Sequence, residues 1–173
     1  MTVVNGKSLL ELSPIVNMID RKERSHGVSH GLSECGYDIR IKQVIRFYDD
    51  GSGMAVYRRG ELFGQEQWLH QGKGRFTLAS SVERFTMPTC LVGVVHDKSS
   101  WARCGLSVFN TVIESGWEGW LTLELVYHGN DELIIPAGAG IAQVLFNRIE
   151  EPTSYAGGKY DQQEDRPVEA RFV

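Results

Sequence analysis

The chain has 173 residues, of which 42% are hydrophobic and 23% are charged, and its formal net charge is -4. This length suits one domain with a single core, and the acidic balance excludes the broad basic face that binds nucleic acid or an anionic membrane. We therefore predict a single domain over residues 1–173, without a nucleic-acid or membrane partner.

The amino-terminal part of the chain is predicted to be helical. Apolar side chains recur at helical spacing at Leu9, Leu10, Leu12, Ile15, Val16 and Ile19. Ser13-Pro14 is typical of an N-cap followed by a first-turn proline, which predicts a second short helix. Residues 21–34 are polar and punctuated by glycines, and we expect them to form a loop that carries His26 and His30.

From Tyr37 onward the pattern predicts short strands separated by turns. Turn residues cluster at 49–53, 128–131 and 136–140. The predicted strands cover residues 37–47, 54–57, 75–79, 90–95, 106–109, 120–127 and 141–149. Repeated short strands of this kind indicate an all-β sandwich or barrel.

The hexapeptide from Lys98 to Arg103 places two cations and two hydroxyls between apolar strands. Lysine and arginine neutralise phosphate oxygens, and serine hydroxyls donate hydrogen bonds to them. The segment therefore indicates a phosphate-binding element. A solvated turn between two strands is the alternative.

Glu124 lies in a strand where alternation places it on one face with Trp120, Thr122 and Val126. One interpretation of a carboxylate there is an ion pair with Arg103. The other is a general base that activates water, because burial and neighbouring charge tune such a group. Glu114 and Asp38 are ambiguous: the first fits a solvated turn, and a salt bridge with Arg40 would explain the second.

The sequence does not indicate zinc or a disulfide framework. The five histidines show no metal-ligand pairing, and the three cysteines, Cys35, Cys90 and Cys104, form no Cys-x-x-Cys pair. No signal peptide or membrane span is evident, which favours a cytoplasmic protein. After Ile149 the apolar alternation stops, and we expect residues 150–173 to form a tail that closes over a ligand as a lid.

Four elements together resemble the dCTP deaminase branch of the dUTPase superfamily. Residues 36–40 are similar to the family's early S-x-D-L-R strand, and residues 98–103 to its R-S-S-x-A-R element. Residues 113–124 are similar to I-D-x-G-W-x-G-x-[IL]-x-L-E, and residues 155–163 to the terminal Y-x-G-K-Y-x-x-Q. The resemblance spans residues 30–165.

This resemblance implies a distorted jelly roll, the dUTPase-like β-clip, with short amino-terminal helices. It implies a homotrimer whose active sites lie at subunit interfaces, and a deoxyribonucleoside triphosphate partner (dCTP, dUTP or dTTP) held with Mg²⁺. The implied reaction is hydrolytic deamination of dCTP to dUTP and ammonia without zinc.

The resemblance also implies roles for individual residues. Glu124 would activate water, with support from Ser99 and Arg103. The implied substrate-binding residues are Lys98, Ser100, Glu114, Trp117, Tyr155, Lys159 and Gln163.

Two alternatives remain from the residues. The turn from Thr111 to Glu114 is similar to the G-V-I-D turn of dUTPases, whose carboxylate positions water for attack on the α-phosphate. A dUTP or dCTP diphosphatase that releases pyrophosphate, alone or together with deamination, is therefore the main alternative. The other is a nucleotide-binding regulator that catalyses neither step.

Overall fold

A computed structural model describes residues 2–172 of the chain; Met1 and Val173, the ends of the predicted domain and lid, lie outside the described residues. Within this range the chain forms fourteen strands and two short helices, so the predicted all-β class is confirmed. The elements are β1 (Val3–Val4), α1 (Gly6–Leu12), β2 (Lys22–Ser25), β3 (Val28–Leu32), β4 (Tyr37–Arg40), β5 (Ile45–Asp49), β6 (Met54–Leu62), β7 (Gln65–Lys73), β8 (Phe76–Thr86), β9 (Leu91–Asp97), α2 (Ser99–Ala102), β10 (Leu106–Val108), β11 (Val112–Ile113), β12 (Glu118–Tyr127), β13 (Leu133–Ile135) and β14 (Gly140–Arg148).

The strands form three antiparallel sheets around one apolar core. The largest has the order β11-β9-β14-β4-β3-β2, with β1 also pairing with β14. A three-stranded sheet has the order β10-β12-β8, and a four-stranded sheet has the order β13-β5-β6-β7. Tyr37, Phe47, Phe85 and Phe146 are fully buried between these sheets. Their burial is the main source of stability, because apolar area removed from water dominates folding.

Two amino-terminal predictions are wrong. Ser13 ends α1 in a left-handed conformation (φ 45°) instead of beginning a second helix, and Ile15 pairs with Phe85 as an isolated bridge. The predicted loop over residues 21–34 contains the hairpin β2–β3. Its turn residues His26 and Gly27 both have positive φ, as a two-residue hairpin turn requires.

The four-stranded sheet was only partly predicted. β6 runs to Leu62, five residues beyond the predicted strand, and it pairs with β7, which was not predicted at all. The side chains of β7 are exposed or half-buried, so this strand lacks the buried apolar face that a sequence pattern detects. Phe63 and Gly64 make the turn between the two strands with positive φ.

Buried polar contacts fix the crossing of β4 and β8. The Arg40 backbone N–H and its Nε both donate to the Glu83 carboxylate, each at 2.8 Å. Glu83 is only 4% exposed, and its burial raises the pKa of that carboxyl group. The contacts join the largest sheet to the three-stranded sheet and thereby hold β12, the neighbour of β8, in place.

Candidate active site

Glu124 lies near the middle of β12, on the face that points away from the core. The adjacent residues Leu123 and Leu125 are at most 1% exposed, whereas Glu124 is half-buried. Leu78 of β8 is the cross-strand partner of Glu124. The backbone carbonyl of Glu124 accepts a hydrogen bond from Phe109 N–H at 3.0 Å. The predicted alternation holds from Thr122 to Tyr127 and directs the carboxylate into a cleft, whereas a register shift between Trp120 and Thr122 interrupts it at the start of the strand.

The cleft has a volume of about 480 Å³. Its wall combines the outer faces of β8 and β12 with the segment before β12 and the carboxy-terminal tail. The lining residues are Phe76, Leu78, Thr111, Val112, Ile113, Glu114, Trp117, Leu121, Thr122, Glu124, Tyr155, Tyr160, Gln163, Val168, Glu169 and Ala170. Aromatic rings with a few polar groups are typical of a small-molecule site.

The carboxylate of Glu124 is half-buried and is hydrogen-bonded by the Glu124 backbone and by the hydroxyl of Thr111. Burial raises its pKa, and a hydrogen bond from Thr111 Oγ1 to Glu124 Oε2, at 3.3 Å, opposes that shift. Within residues 2–172 no ion pair forms between Glu124 and Arg103, so the alternative interpretation of Glu124 is wrong for the single chain. A carboxyl group with a raised pKa is suited to exchange protons near neutral pH.

The tail docks on the start of β12. Gln163 bridges to Gly119, and its carbonyl accepts a hydrogen bond from Trp120 N–H at 3.2 Å. A Cβ at Gly119 would lie 2.6 Å from the Gln163 backbone nitrogen, so the close approach requires glycine. Trp117 Nε1 donates to the Tyr160 carbonyl at 2.6 Å. Residues 116–119, with the sequence Gly-Trp-Glu-Gly, therefore form the docking site for the tail.

Thr122 joins the tail to the same face of β12 as Glu124. Its hydroxyl accepts hydrogen bonds from the Gln163 side-chain amide and from the Val168 backbone N–H. Val168 is 8% exposed, and Glu169 and Ala170 continue along the cleft. The segment that follows the tail motif thus forms one side of the cleft.

A second, polar cleft of about 250 Å³ lies at the junction of β4, β9 and α2. Lys98 Nζ pairs with Asp38 Oδ2 at 2.6 Å, and the Ser29 hydroxyl donates to the same oxygen at 3.0 Å. The salt bridge predicted between Asp38 and Arg40 is therefore wrong, because Lys98 takes that partner and Arg40 pairs with Glu83. Ser99 also lines this cleft.

The structure distributes the sequence-predicted residues over two places in one chain. Glu114, Trp117, Glu124, Tyr155 and Gln163 line the first cleft. Lys98 and Ser99 line the second, and none of the residues that the structure describes lines both.

Three further candidates, Ser100, Arg103 and Lys159, are exposed and line neither cleft. Gly105, two residues beyond Arg103, accepts a hydrogen bond from His128 N–H. His128 lies four residues beyond Glu124, which corresponds to roughly 13 Å along a strand. Arg103 and Glu124 thus belong to different regions of the chain.

Sequence reasoning did not select several residues that form the first cleft. Thr111 was noted only as the start of a turn, although it contacts the carboxylate itself. Thr122 shares the predicted face of β12 with Glu124, and that alternation was the available signal. Val168 carries no periodic signal, because the tail lacks regular secondary structure.

Residues 2–172 contain neither a clustered metal-ligand set nor a membrane-spanning helix. No three His, Cys, Asp or Glu side chains in this range are grouped so that they could hold a metal ion. No helix in the same range is long and apolar enough to cross a membrane.

Comparison with known proteins identifies one family. The family model described as "dCTP deaminase-like" matches residues 10–149. A dCTP deaminase of Campylobacter fetus subsp. fetus is 36% identical, over 79% of this chain and 78% of the relative. A dCTP deaminase of Francisella philomiragia subsp. philomiragia is 33% identical, over 94% of this chain and 96% of the relative.

The fold is also found among solved structures. The dUTPase of Staphylococcus bacteriophage 80alpha aligns with a TM-score of 0.50 at 14% identity, covering 93% of this chain and 97% of the other. At that identity the likeness concerns the fold alone, and it confirms the predicted dUTPase-like jelly roll.

Proposed function

This chain belongs to the dCTP deaminase-like family, and from that membership we propose that it hydrolyses dCTP to dUTP and ammonia, using water activated by Glu124 and no zinc. The observation that carries the proposal is the position of Glu124. It is a half-buried carboxylate, with a pKa raised by burial, in a cleft of the size of a small ligand. The substrate in this proposal is inferred from the family relatives, and the general base is inferred from the position of Glu124 in the cleft.

Glu124 would act as general base and then as general acid. It takes a proton from water as the water oxygen attacks C4 of cytosine, and it returns a proton to the amino group that leaves as ammonia. A raised pKa favours both steps near neutral pH, because the group can then accept a proton and release it at similar cost. The aromatic wall at Trp117 and Tyr155 would enclose the base and sugar.

The polar cleft is the proposed site for the triphosphate. Lys98 and Lys22 offer cations, and Ser99 offers a hydroxyl. Asp38 and Asp97 line the same cleft, and Asp38 Oδ1 has no hydrogen-bond partner among the described residues. These carboxylates fit a hydrated Mg²⁺ ion, which would arrive with the nucleotide and neutralise phosphate charge.

A homotrimer with interfacial sites is part of the proposal. In one chain the first cleft, which holds Glu124, and the polar cleft share no lining residue within 2–172, and Ser100 and Arg103 are exposed. A nucleotide whose base contacts Glu124 would then need its phosphates bound by residues 98–103 of another copy. Arg103 of that copy would bring a cation to a cleft that, among its described lining residues, has none.

The tail, residues 150–173, is proposed as the lid. Trp117, Gly119 and Thr122 provide its docking points. Tyr155, Lys159 and Gln163 would contact the nucleotide when the tail closes. Because the docking contacts include the side chains of Trp117 and Thr122, opening of the lid would uncover one edge of the core at Trp117.

Glu114 supports a second candidate function, release of pyrophosphate. It is exposed, and it lines the same cleft as Glu124. An exposed carboxylate in that place can orient a water molecule towards a phosphate as well as towards a ring. A diphosphatase acting on dUTP or dCTP, or a bifunctional enzyme, therefore remains the alternative.

One assay separates these functions. The protein is incubated with dCTP, and separately with dUTP, in the presence of Mg²⁺, and ammonia and pyrophosphate are measured independently. Ammonia from dCTP without pyrophosphate supports deamination, and both products together support a bifunctional enzyme. Pyrophosphate without ammonia rejects the deaminase, and tight nucleotide binding without either product favours a regulator. Light scattering of the same sample tests the trimer.

A further inference from the structure

Thr111 lies between two acceptors beside the proposed base. Its Oγ1 is 3.3 Å from Glu124 Oε2 and also 3.3 Å from the Phe109 carbonyl oxygen. Phe109 in turn donates its backbone N–H to the Glu124 carbonyl at 3.0 Å. The hydroxyl is thus connected to Glu124 directly and through the backbone.

A hydroxyl has one proton to donate and two lone pairs that accept. When Glu124 is ionised, the Thr111 proton can point to Oε2, which makes a charge-assisted hydrogen bond. When Glu124 is protonated, the carboxylic acid can donate to Thr111 Oγ1, and the Thr111 proton can turn to the Phe109 carbonyl. The ionised and the protonated forms of Glu124 therefore require no movement of any non-hydrogen atom of Thr111, Glu124 or Phe109.

We infer that Thr111 is a positioning residue that holds Glu124 in one orientation through both of its protonation states. The inference rests on the proposed function, in which Glu124 takes up a proton and returns it within each turnover. A base that need not rotate between the two steps keeps its alignment with water and with the leaving amine. Thr111 contributes by turning a single O–H bond.

The surroundings make this hydroxyl the main adjustable contact. The titratable groups that share the cleft with Glu124 are Glu114, Tyr155, Tyr160 and Glu169. The other cleft-lining residues on β8 and β12 are Phe76, Leu78, Leu121 and Thr122. Two hydrogen bonds lower the pKa of Glu124 against the effect of burial, first that of the Glu124 backbone and then that of Thr111; within the described part of the chain, Thr111 is the one side chain among them.

The test compares Thr111→Val, which keeps the shape and loses the hydroxyl, with Thr111→Ser, which keeps the hydroxyl. The carboxyl group of Glu124 is titrated by carbon NMR, and kcat and KM for dCTP are measured against pH. We expect Thr111→Val to raise the pKa of Glu124 further, to move the acidic limb of the rate profile to higher pH, and to lower kcat about tenfold with little change in KM. Thr111→Ser should return the pKa of Glu124 and the kcat to their wild-type values.

Thr77→Val is the matched control, because among residues 2–172 the Thr77 hydroxyl hydrogen-bonds only to the Leu78 carbonyl, at 3.4 Å, and Thr77 does not line the cleft. An unchanged Glu124 titration in a folded Thr111→Val protein overturns the inference. If that variant does not fold, Thr111→Ala must show the same shift. The titration of Glu124 does not require turnover. Wild-type protein that releases no ammonia would therefore reject the proposed function, and the titration of the Thr111 variants would still test the inference independently.

Discussion

Lys98 and Asp38 form a buried ion pair between the start of α2 and β4. Their atoms Nζ and Oδ2 are 2.6 Å apart, and the side chains are 10% and 4% exposed. A charge taken from water at such a place is costly unless it is paired. The pair therefore keeps the Lys98 ammonium extended along the polar cleft, where a triphosphate can compete for it.

Removal of the lysine charge should destabilise the fold as well as weaken nucleotide binding. Lys98→Met leaves Asp38 buried without its partner, and we expect the free energy of unfolding to fall by about 3 kcal/mol. The double variant with Asp38→Asn should regain most of that stability but still bind dCTP weakly. Urea unfolding and calorimetry measure the two effects. Lys7→Met is the control, because the exposed Lys7–Glu11 pair contributes at most about 0.5 kcal/mol. Equal loss in the single and double variants would contradict this account.

Glu124→Gln should abolish the proposed chemistry and spare binding. The amide keeps the size of the side chain but cannot take a proton from water, so we expect ammonia release to fall about 10³-fold. Glu118→Gln is a matched control on the same strand, since Glu118 pairs with Arg84 and does not line the cleft. Normal turnover of the Glu124 variant would remove this residue from the mechanism.

The same Glu124 variant should be more stable than the wild type at neutral and alkaline pH. Burial raises the pKa of Glu124 above its value in the unfolded chain. Its stabilising contribution is therefore complete below the unfolded pKa and is lost as the pH rises through the folded pKa. Because glutamine does not titrate, the two melting temperatures should agree near pH 4 and diverge in favour of the variant by pH 8. A constant difference across this range would show that burial does not penalise the charge.

The carboxylate was predictable from the sequence because its position depends on local alternation. Leu123 and Leu125 must face the core, so Glu124 must face the other way, whatever the neighbouring strands are. The hairpin β2–β3 was not predictable in this manner. Its residues are largely polar, and β3 becomes a strand by pairing with β4, a contact that turn residues and polarity do not reveal.

The sequence also could not predict which of the site residues lie together in one cleft. The motif elements identify phosphate-binding and base-binding residues, but only the fold shows that Lys98 and Glu124 line different clefts. Docking of Gln163 on Gly119 depends on backbone groups, which every sequence has in common. The one sign of such a contact in the sequence is a glycine at a position where any side chain would collide with the docked backbone.

Gly119 gives the sharpest test of the lid. Deletion of the residues after Pro152 also uncovers Trp117, whose indole the tail covers, so lost stability would obscure lost binding. Gly119→Ala instead places a methyl group 2.6 Å from the Gln163 nitrogen and should displace the tail. We expect dCTP affinity to fall about tenfold or more, because the displaced tail no longer closes over the nucleotide. Gly53→Ala is the matched control, because Gly53 also has positive φ but has open space around its added Cβ. If both variants lose stability equally and bind dCTP equally well, the tail is not a lid.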